Sequence, residues 1–383
     1  MSVESITITN EFEQKIPHEV EHKYIPIFPE DLEVYRSSGW PIEQFYLSHP
    51  SESFSLRMRE EFKDGTLHYE ATLKDTGHIT PDGISRMEIT TPVSPELYQL
   101  YRSPDTPVLR KIRAEPLPGV TVDFYEDGMV QVESESPANW REFVRLHGDR
   151  FVEVTGDRSS DNEWKAHLSF RRSNNGNEAL KPSVDLASKD IVNDILAANK
   201  PGEPTILHIA GRSGSGKSTI VREVQADLNN LGVESVVLST DDYHRGNTWL
   251  VNYNDGEAWT KWDDAVVYDT AALAVDLAEL RAGRPIWQRT IDFSVCEPKI
   301  TGTIQPAPVV IIEGIYAGSA DIASPNHLSY EMTTPLATCV GRRLLRDMRE
   351  RPQFADPVAS LEYMLREAEP AYRQQEAARG ASK

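Results

Sequence analysis

The sequence predicts two domains of different class. The first is an N-terminal antiparallel β-barrel or tunnel with α+β character, and the second is a C-terminal α/β fold on a parallel sheet. Three observations carry this expectation. The 383 residues correspond to two or three domains at roughly 100–200 residues each. The first half is built of segments with period-2 alternation, separated by Gly-containing turns. The second half alternates short apolar runs with helical segments, the pattern of parallel βα units.

Composition narrows the function classes. With 39% hydrophobic and 26% charged residues, the chain is predicted to be globular and not disordered. Forty basic residues against 60 acidic ones give a net charge of −20, which argues against a nucleic-acid-coating protein. Two cysteines, Cys296 and Cys339, allow at most one bridge and stand at no metal-binding spacing. The acidic first 15 residues have no apolar h-region, so no signal peptide is predicted. The longest apolar run, Val309 to Ile312, is far below the ~20 residues that span a bilayer. A cytoplasmic protein without membrane or nucleic-acid partners is expected.

The polar stretch Arg171-Arg172-Ser173-Asn174-Asn175-Gly176-Asn177-Glu178 lacks periodicity and marks a linker. Beyond it Val184, Leu186, Ile191, Ile195 and Leu196 recur at near-helical spacing, and Lys200-Pro201-Gly202-Glu203-Pro204 breaks the chain again. The expected division is 1–175, a connecting segment 176–203, and 204–383. In the first part, strands are expected at 19–24, 54–59, 67–74, 85–90, 120–124 and 129–135. Lys63-Asp64-Gly65, Pro81-Asp82-Gly83 and Glu126-Asp127-Gly128 supply turns. In the last part, strands are expected at 206–210, 233–238 and 309–312, and helices at 217–231, 270–282 and 341–349.

Gly211-Arg212-Ser213-Gly214-Ser215-Gly216-Lys217-Ser218 fits G-x-x-x-x-G-K-[ST]. Glycines let backbone N–H groups close around phosphate oxygens, the helix N-terminus adds positive potential, Lys217 reaches the β/γ-phosphates, and Ser218 ligates Mg²⁺. The nucleotide-binding set is therefore Gly211, Ser213, Gly214, Ser215, Gly216, Lys217, Ser218 and Thr219, with Gly232 closing the helix. Asp241 and Glu313 each follow a predicted strand, at the carboxyl edge where open α/β sheets bind ligands. A phosphoryl acceptor needs a carboxylate to take its proton, and Mg²⁺ needs a second acid.

These residues resemble the uridine kinase-like P-loop kinases, which have a P-loop NTPase fold. Leu238-Ser239-Thr240-Asp241-Asp242-Tyr243 is similar to the family's strand-end Asp motif, and Trp262-Asp263-Asp264-Ala265-Val266-Val267-Tyr268-Asp269 to its acceptor segment. Ile291-Asp292-Phe293, Ile311-Ile312-Glu313-Gly314-Ile315 and Arg342-Arg343-Leu344-Leu345-Arg346-Asp347 with Arg351 match further motifs. The resemblance implies ATP or GTP as donor and a nucleoside-like acceptor. Asp241 would be the general base, Glu313 the Mg²⁺-associated acid, Asp263 the sugar contact, and Arg343 or Arg346 the charge stabiliser. Tyr243 and Asp292 fall within the implied acceptor-binding motifs. Cys296 and Pro298 replace the family's base-reading His and nearby Arg, Cys339 replaces a lid Arg, and Pro352-Gln353 replaces Gly-Arg. The acceptor is therefore open to being a non-nucleoside metabolite.

In the first part, charges recur on one face of successive strands: Glu19, Glu21 and Lys23; Arg57 and Arg59; Lys74 with Thr72; Arg86 and Glu88; Lys111 and Arg113; Glu133 and Glu135. Turned inward, such faces must be solvated, paired or bound to ligand. Basic residues would hold a polyphosphate, and acids Mg²⁺ or Mn²⁺. This ordered series, beginning with E-x-E-x-K at Glu19–Lys23 and ending with Phe151-Val152-Glu153-Val154-Thr155-Gly156-Asp157, resembles the CYTH, or triphosphate tunnel metalloenzyme, family. The resemblance implies Glu19, Glu21, Glu133 and Glu135 as metal acids. Lys23, Arg57, Arg59, Lys74, Arg86, Lys111 and Arg113 would be phosphate ligands, and a triphosphate or pyrophosphate the substrate. Gln131 stands where another acid would fit. The rival expectation is a tunnel that senses nucleotide or polyphosphate without turnover. The sequence sets no oligomeric state.

Overall fold

The computed structural model describes residues 16–174, 176–177, 180, 186–200, 202–323, 327–351 and 354–381. The N-terminal stretch 1–15, the linker positions Asn175 and Glu178, Val184, Pro201 and the pair Pro352-Gln353 lie outside the described residues. The chain divides into two compact units. One comprises Met1–Pro182, Leu336–Gly341 and Asp356–Glu362; the other comprises Ser183–Pro335, Arg342–Ala355 and Tyr363–Lys383.

The first unit is a closed antiparallel barrel. Its strands are β1 (His18–Pro26), β2 (Trp40–Tyr46), β3 (Phe54–Lys63), β4 (Thr66–Asp75), β5 (His78–Thr80), β6 (Gly83–Pro92), β7 (Val108–Leu117), β8 (Val120–Tyr125), β9 (Val130–Ser134) and β10 (Phe151–Glu153). Eight of them close the ring in the order β1-β9-β8-β7-β2-β3-β4-β6, and β1 pairs with β6 to complete it. The β3–β4 turn is Asp64-Gly65, with φ of 53° and 77°. Two left-handed residues are what a two-residue hairpin matching strand twist requires.

Register puts the charged positions on one face. Glu19 lies opposite Arg86, Lys74 opposite Glu88, Lys23 opposite Glu133, and Arg113 opposite Asp123. The alternate positions form the outer wall and carry the apolar side chains that pack against the flanking helices. Leu56, Met58, Leu73 and Ile89 are fully buried, and Phe45 packs edge-on against Tyr98 of the helix Pro95–Tyr101 at 5.0 Å. On the other side Val120, Val122, Phe124 and Val132 pack with Phe143 of the helix Pro137–His147. Both helices begin Ser-Pro. Ser94 and Ser136 accept N–H bonds as N-caps, and the following proline sits where no N–H is needed. The helix Asn162–Ser173 places Ala166 against Tyr46, Leu109 and Tyr125.

The second unit is a parallel sheet. Its strands are β11 (Thr205–Ala210), β12 (Ser235–Ser239), β13 (Ile286–Asp292), β14 (Glu297–Ile304), β15 (Val309–Gly314) and β16 (Leu328–Glu331). Four are parallel in the order β12-β15-β11-β16, whereas β13 and β14 form a separate antiparallel hairpin that the sequence did not suggest. Both faces of the sheet are apolar, as a parallel sheet requires. Leu207, Ile209 and Ile311 meet Ile191, Val221 and Val224 of the helices Ser188–Ala198 and Lys217–Asn230. Ile206, Val310 and Ile312 meet Leu273, Leu277 and Leu280 of the helix Thr270–Arg281. Gly232 has φ 72°, and Val233 N–H bonds Leu228 C=O at 2.9 Å, closing the helix Lys217–Asn230. Among the described residues no disulfide forms and no helix is long and apolar enough to cross a membrane.

Candidate active sites

The loop between β11 and the helix Lys217–Asn230 borders a cavity of about 960 Å³. Gly216 has φ 94°, a left-handed conformation that side chains disfavour, immediately before the first helical residue. Ser213, Gly214, Ser215, Gly216, Lys217, Ser218 and Thr219 line the cavity with Asp241 and Glu313. Gly211 lies at the loop's base, where a Cβ would come within 2.8 Å of Met332. The Lys217 ammonium donates to Gly211 O at 2.8 Å and Arg212 O at 2.7 Å. Glu313 accepts from Ser239 Oγ at 2.8 Å and from Ser218 Oγ at 3.4 Å. Burial raises its pKa, against the pull of Lys217. At Gly314 a Cβ would fall 1.8 Å from Thr240 Oγ1, so glycine permits β15 to approach the Asp241 turn.

Arg342, Arg343, Arg346 and Arg351 face the same cavity. Arg343 grips Asp263 through two 2.8 Å bonds, and Tyr363 OH donates to the same carboxylate at 2.7 Å. Against the cost of burial, these partners hold Asp263 below its usual range. Asp347, 1% exposed, collects Arg346 at 2.7 Å, Arg343 at 3.3 Å and Arg351 at 3.5 Å. Asp347→Asn is expected to cost roughly 3 kcal/mol, the lower end for breaking a buried pair because Arg346 is partly solvated. The readout is the urea midpoint of this unit's unfolding; an unchanged midpoint would show that the carboxylate is not the anchor.

Two expected acceptor residues lie elsewhere. Tyr243 turns into the core, donating to Asp276 at 3.0 Å. The turn Thr240–Tyr243 presents Asp241 to the cavity and Tyr243 to the opposite side. Asp292 begins the β13–β14 turn and bonds Ser294 and Lys299 without lining the cavity. Instead Phe293 and Cys296 line it, together with His244, Trp262 and Tyr268. His244 stacks 6.0 Å from Trp262, and burial keeps its pKa low. Trp262, Tyr268 and Phe293 fall within the motifs quoted from the sequence, whereas His244 lies outside them. The C-terminal helix Glu369–Ala381 was also unforeseen, with Glu369 bonding Arg212 of the loop at 2.9 and 3.1 Å.

The barrel encloses a second cavity, of about 410 Å³. Glu19, Glu21, Lys23, Arg57, Arg59, Lys74, Arg86, Arg113, Glu133 and Glu135 all line it. Lys74 joins Glu19 at 2.6 Å and Glu88 at 2.8 Å; Glu21 lies 3.3 Å from both Lys23 and Arg86. Glu70 sits between Arg57 at 3.0 Å and Arg59 at 3.1 Å, and Arg113 bonds Glu133 at 2.6 Å. Burial, with Arg57 and Arg113 nearby, lowers Arg59 to about 10. The Nε atoms of Arg57, Arg59 and Arg86 and the Oε1 of Glu21 are buried without hydrogen bonds. Among the described residues no group of three or more His, Cys, Asp or Glu side chains is arranged as a metal cluster.

Lys111, expected among the phosphate ligands, does not line the cavity. It is enclosed with Asp123 at 2.6 Å, and burial pushes it down to about 7. Gln131 donates to Glu133 at 3.2 Å and accepts from Lys165 of the helix Asn162–Ser173. A lysine from the closing helix thus occupies the surroundings of the missing acid. On the same helix, burial raises Glu163 to about 7, against the hydrogen bonds of Ser48 and Ser55. Native Glu163 therefore holds a proton that the unfolded chain releases between pH 4.5 and about 7, and its stabilising effect is lost as pH rises through that window. Glu163→Gln should remove a slope on the order of 3 kcal/mol. Barrel unfolding at pH 5 and pH 8 tests this; a slope retained in the variant would assign it to another group.

The family model for the phosphoribulokinase/uridine kinase family matches residues 206–374. A uridine kinase of Staphylococcus aureus (strain JH9) is 31% identical over 156 residues, 40% of this chain and 73% of that protein. A structure named as a possible uridine kinase from Bacillus stearothermophilus is 19% identical, with a TM-score of 0.34 over 49% of this chain and 94% of its own. The structure of an inorganic triphosphatase is 21% identical, with a TM-score of 0.24 over 39% of this chain and 93% of its own. Residues 206–374 place this chain among the P-loop kinases of the phosphoribulokinase/uridine kinase family.

Proposed function

We propose that the chain is a bifunctional phosphate-transfer enzyme, with a kinase in 204–383, a CYTH-type tunnel in 1–175 and 176–203 joining them. The observation that carries the kinase half is the meeting of Lys217, Ser218, Asp241 and Glu313 around one cavity. ATP or GTP would lie on the loop from Gly211 to Thr219, with Lys217 leaving its carbonyl partners for the β/γ-phosphates. Ser218 and Glu313 present hard oxygens that fit Mg²⁺, which when bound neutralises phosphate charge. Asp241 accepts the proton of the acceptor hydroxyl as its oxygen bonds to the γ-phosphorus and the bond to the β-phosphate oxygen breaks. Arg343 and Arg346 balance the developing charge, and Asp263, held by Arg343, offers the contact to a sugar-like hydroxyl. The aromatic enclosure of His244, Trp262 and Phe293 supports a planar, nucleoside-like acceptor.

In the barrel, the charged interior supports binding and hydrolysis of a triphosphate or pyrophosphate. Lys23, Arg57, Arg59, Lys74, Arg86 and Arg113 would hold phosphates, and the buried, unbonded guanidinium Nε atoms fit an anion. Glu19, Glu21, Glu133 and Glu135 offer oxygens to Mg²⁺ or Mn²⁺, which when bound would activate water. The pairing of Glu19, Glu21 and Glu133 with Lys or Arg favours a second reading, a tunnel that binds without turnover. One experiment tests both halves. The full chain is offered a panel of nucleosides and sugar alcohols with ATP or GTP, following ADP or GDP formation. Separately it is offered tripolyphosphate and pyrophosphate, with Mg²⁺ or Mn²⁺ and with chelator. No acceptor-dependent ADP or GDP sinks the kinase reading for that panel, and binding without phosphate release selects the sensor.

A further inference from the structure

Asp276 has no part in the chemistry above, yet it is 8% exposed in the middle of the helix Thr270–Arg281. At helical spacing it shares a face with Leu273 and Leu280, both buried in the core of the second unit. A carboxylate in such a place is costly unless it is paired. Tyr243 OH donates to Asp276 Oδ2 at 3.0 Å, and Arg289 Nε donates to the same oxygen at 3.0 Å. The Arg289 guanidinium also lies over the Tyr243 ring, 5.5 Å from its centre. The helix holds Tyr243 a second time at its start, where Asp269 N–H donates to Tyr243 O at 2.8 Å.

The two partners belong to the two pieces that shape one side of the 960 Å³ cavity. Tyr243 closes the turn Thr240–Tyr243, which presents Asp241 to it. Arg289 lies on β13, and the β13–β14 turn brings Phe293 and Cys296 to the same space. Beside Tyr243, the Asp242 carboxylate accepts from the Thr290 side chain and the Ile291 backbone, so turn and hairpin are also joined directly. A leucine at position 276 would extend the Leu273–Leu280 stripe without desolvating a charge. It could not bond a hydroxyl from one piece and a guanidinium from the other. We propose that Asp276 is a positioning residue for phosphoryl transfer, fixing the distance between the Asp241 carboxylate and the wall of Phe293 and Cys296. It touches neither substrate and acts through Tyr243 and Arg289. This rests on the kinase reading above. The hydroxyl to be phosphorylated must meet Asp241 and the γ-phosphorus at once, and a displacement of about 1 Å at such a point costs on the order of 10²-fold in rate.

The test uses the full chain with Tyr243→Phe and Asp276→Leu combined. Removing both ends of the buried bond with side chains of similar size orphans neither, and partly exposed Arg289 turns to solvent. The urea midpoint of the second unit should therefore hold, while kcat/KM for an accepted acceptor falls about 10²-fold and KM for ATP stays within about twofold. Asp276→Asn alone, which still accepts from Tyr243, should recover part of that rate. A purely structural role gives instead a loss that tracks a lowered midpoint, or KM for ATP and acceptor rising together. Either result overturns the positioning role, as does an unchanged kcat/KM. Amide hydrogen exchange reads the same tie without turnover. In the double variant, segments 240–244 and 289–296 should exchange faster together, with 309–314 unchanged. Faster exchange in one of the two segments alone, or in neither, overturns the tie. No acceptor-dependent ADP from the parent overturns the kinase reading and the transfer role with it; the exchange result separates that failure from failure of the tie itself.

Discussion

Lys217→Ala is expected to lower ATP-dependent phosphorylation by about 10³-fold or more while leaving phosphate release from tripolyphosphate within about twofold of the parent. The size follows from what the ammonium does. Lys217 is buried, 7% exposed, with bonds to the carbonyls of Gly211 and Arg212. It is thus already desolvated beside the place where phosphates would bind. There a positive charge acts on phosphoryl oxygens in a poorly screened setting. Alanine removes that charge and leaves two loop carbonyls without their donor, so binding and transfer should fall together. Selectivity follows from the two cavities having no lining residue in common. ADP formation with an accepted acceptor and phosphate release from tripolyphosphate are measured on the same preparation. Loss of both activities in a folded variant would overturn the idea of separable sites.

The sequence carried the candidate catalytic residues of the second unit more fully than its candidate acceptor pocket, for a physical reason. A phosphate loop is a contiguous segment whose glycines, lysine and serine are constrained by one small turn; Asp241 follows β12, and Glu313 lies at the end of β15 in the same sheet. Direction is harder to read. A single residue separates Asp241 from Tyr243, yet one tight turn sends the first to the cavity and the second to Asp276. Tyr363 meets Asp263, and Glu369 meets Arg212, across sequence separations of 100 and 157 residues, with no local pattern to announce either pairing. The hairpin of β13 and β14 was hidden because Pro298 and Gly302 interrupt β14, and exposed Trp287 and Ile300 blur its alternation.

In the barrel, alternation of charge identified inward faces on most strands because the two faces differ so sharply in polarity. Strand β2 escaped because Trp40, Ile42 and Tyr46 share the parity of Gln44, and apolar Phe45 lies opposite, so period-2 contrast vanishes. Lys111 shows the limit of the same rule. Parity turned it inward, but only the three-dimensional packing shows that Asp123 encloses it away from the cavity. Lys165 was equally invisible, since its meeting with Gln131 depends on where the closing helix docks.

Glu19→Gln combined with Glu21→Gln is expected to lower Mg²⁺- or Mn²⁺-dependent phosphate release from tripolyphosphate by about 10³-fold, while ATP-dependent phosphorylation by the other unit persists. Both acids line the cavity, and both are spoken for: Glu19 by Lys74 and Glu21 by Lys23 and Arg86. Their neutralisation changes two balances at once. A divalent ion loses carboxylate oxygens that amides replace poorly. Lys74, Lys23 and Arg86 lose counter-charge and become more available to anions, so tripolyphosphate affinity should hold or rise while turnover falls. This opposition separates the two readings of the tunnel. A catalytic tunnel loses kcat with KM unchanged or lower, because the acids act on the metal-activated water and the bases still hold phosphate. A sensing tunnel shows no metal-dependent release in the parent, and the double variant alters binding alone. Phosphate release unchanged between parent and variant would remove Glu19 and Glu21 from the reaction and point the measured hydrolysis to another site or protein.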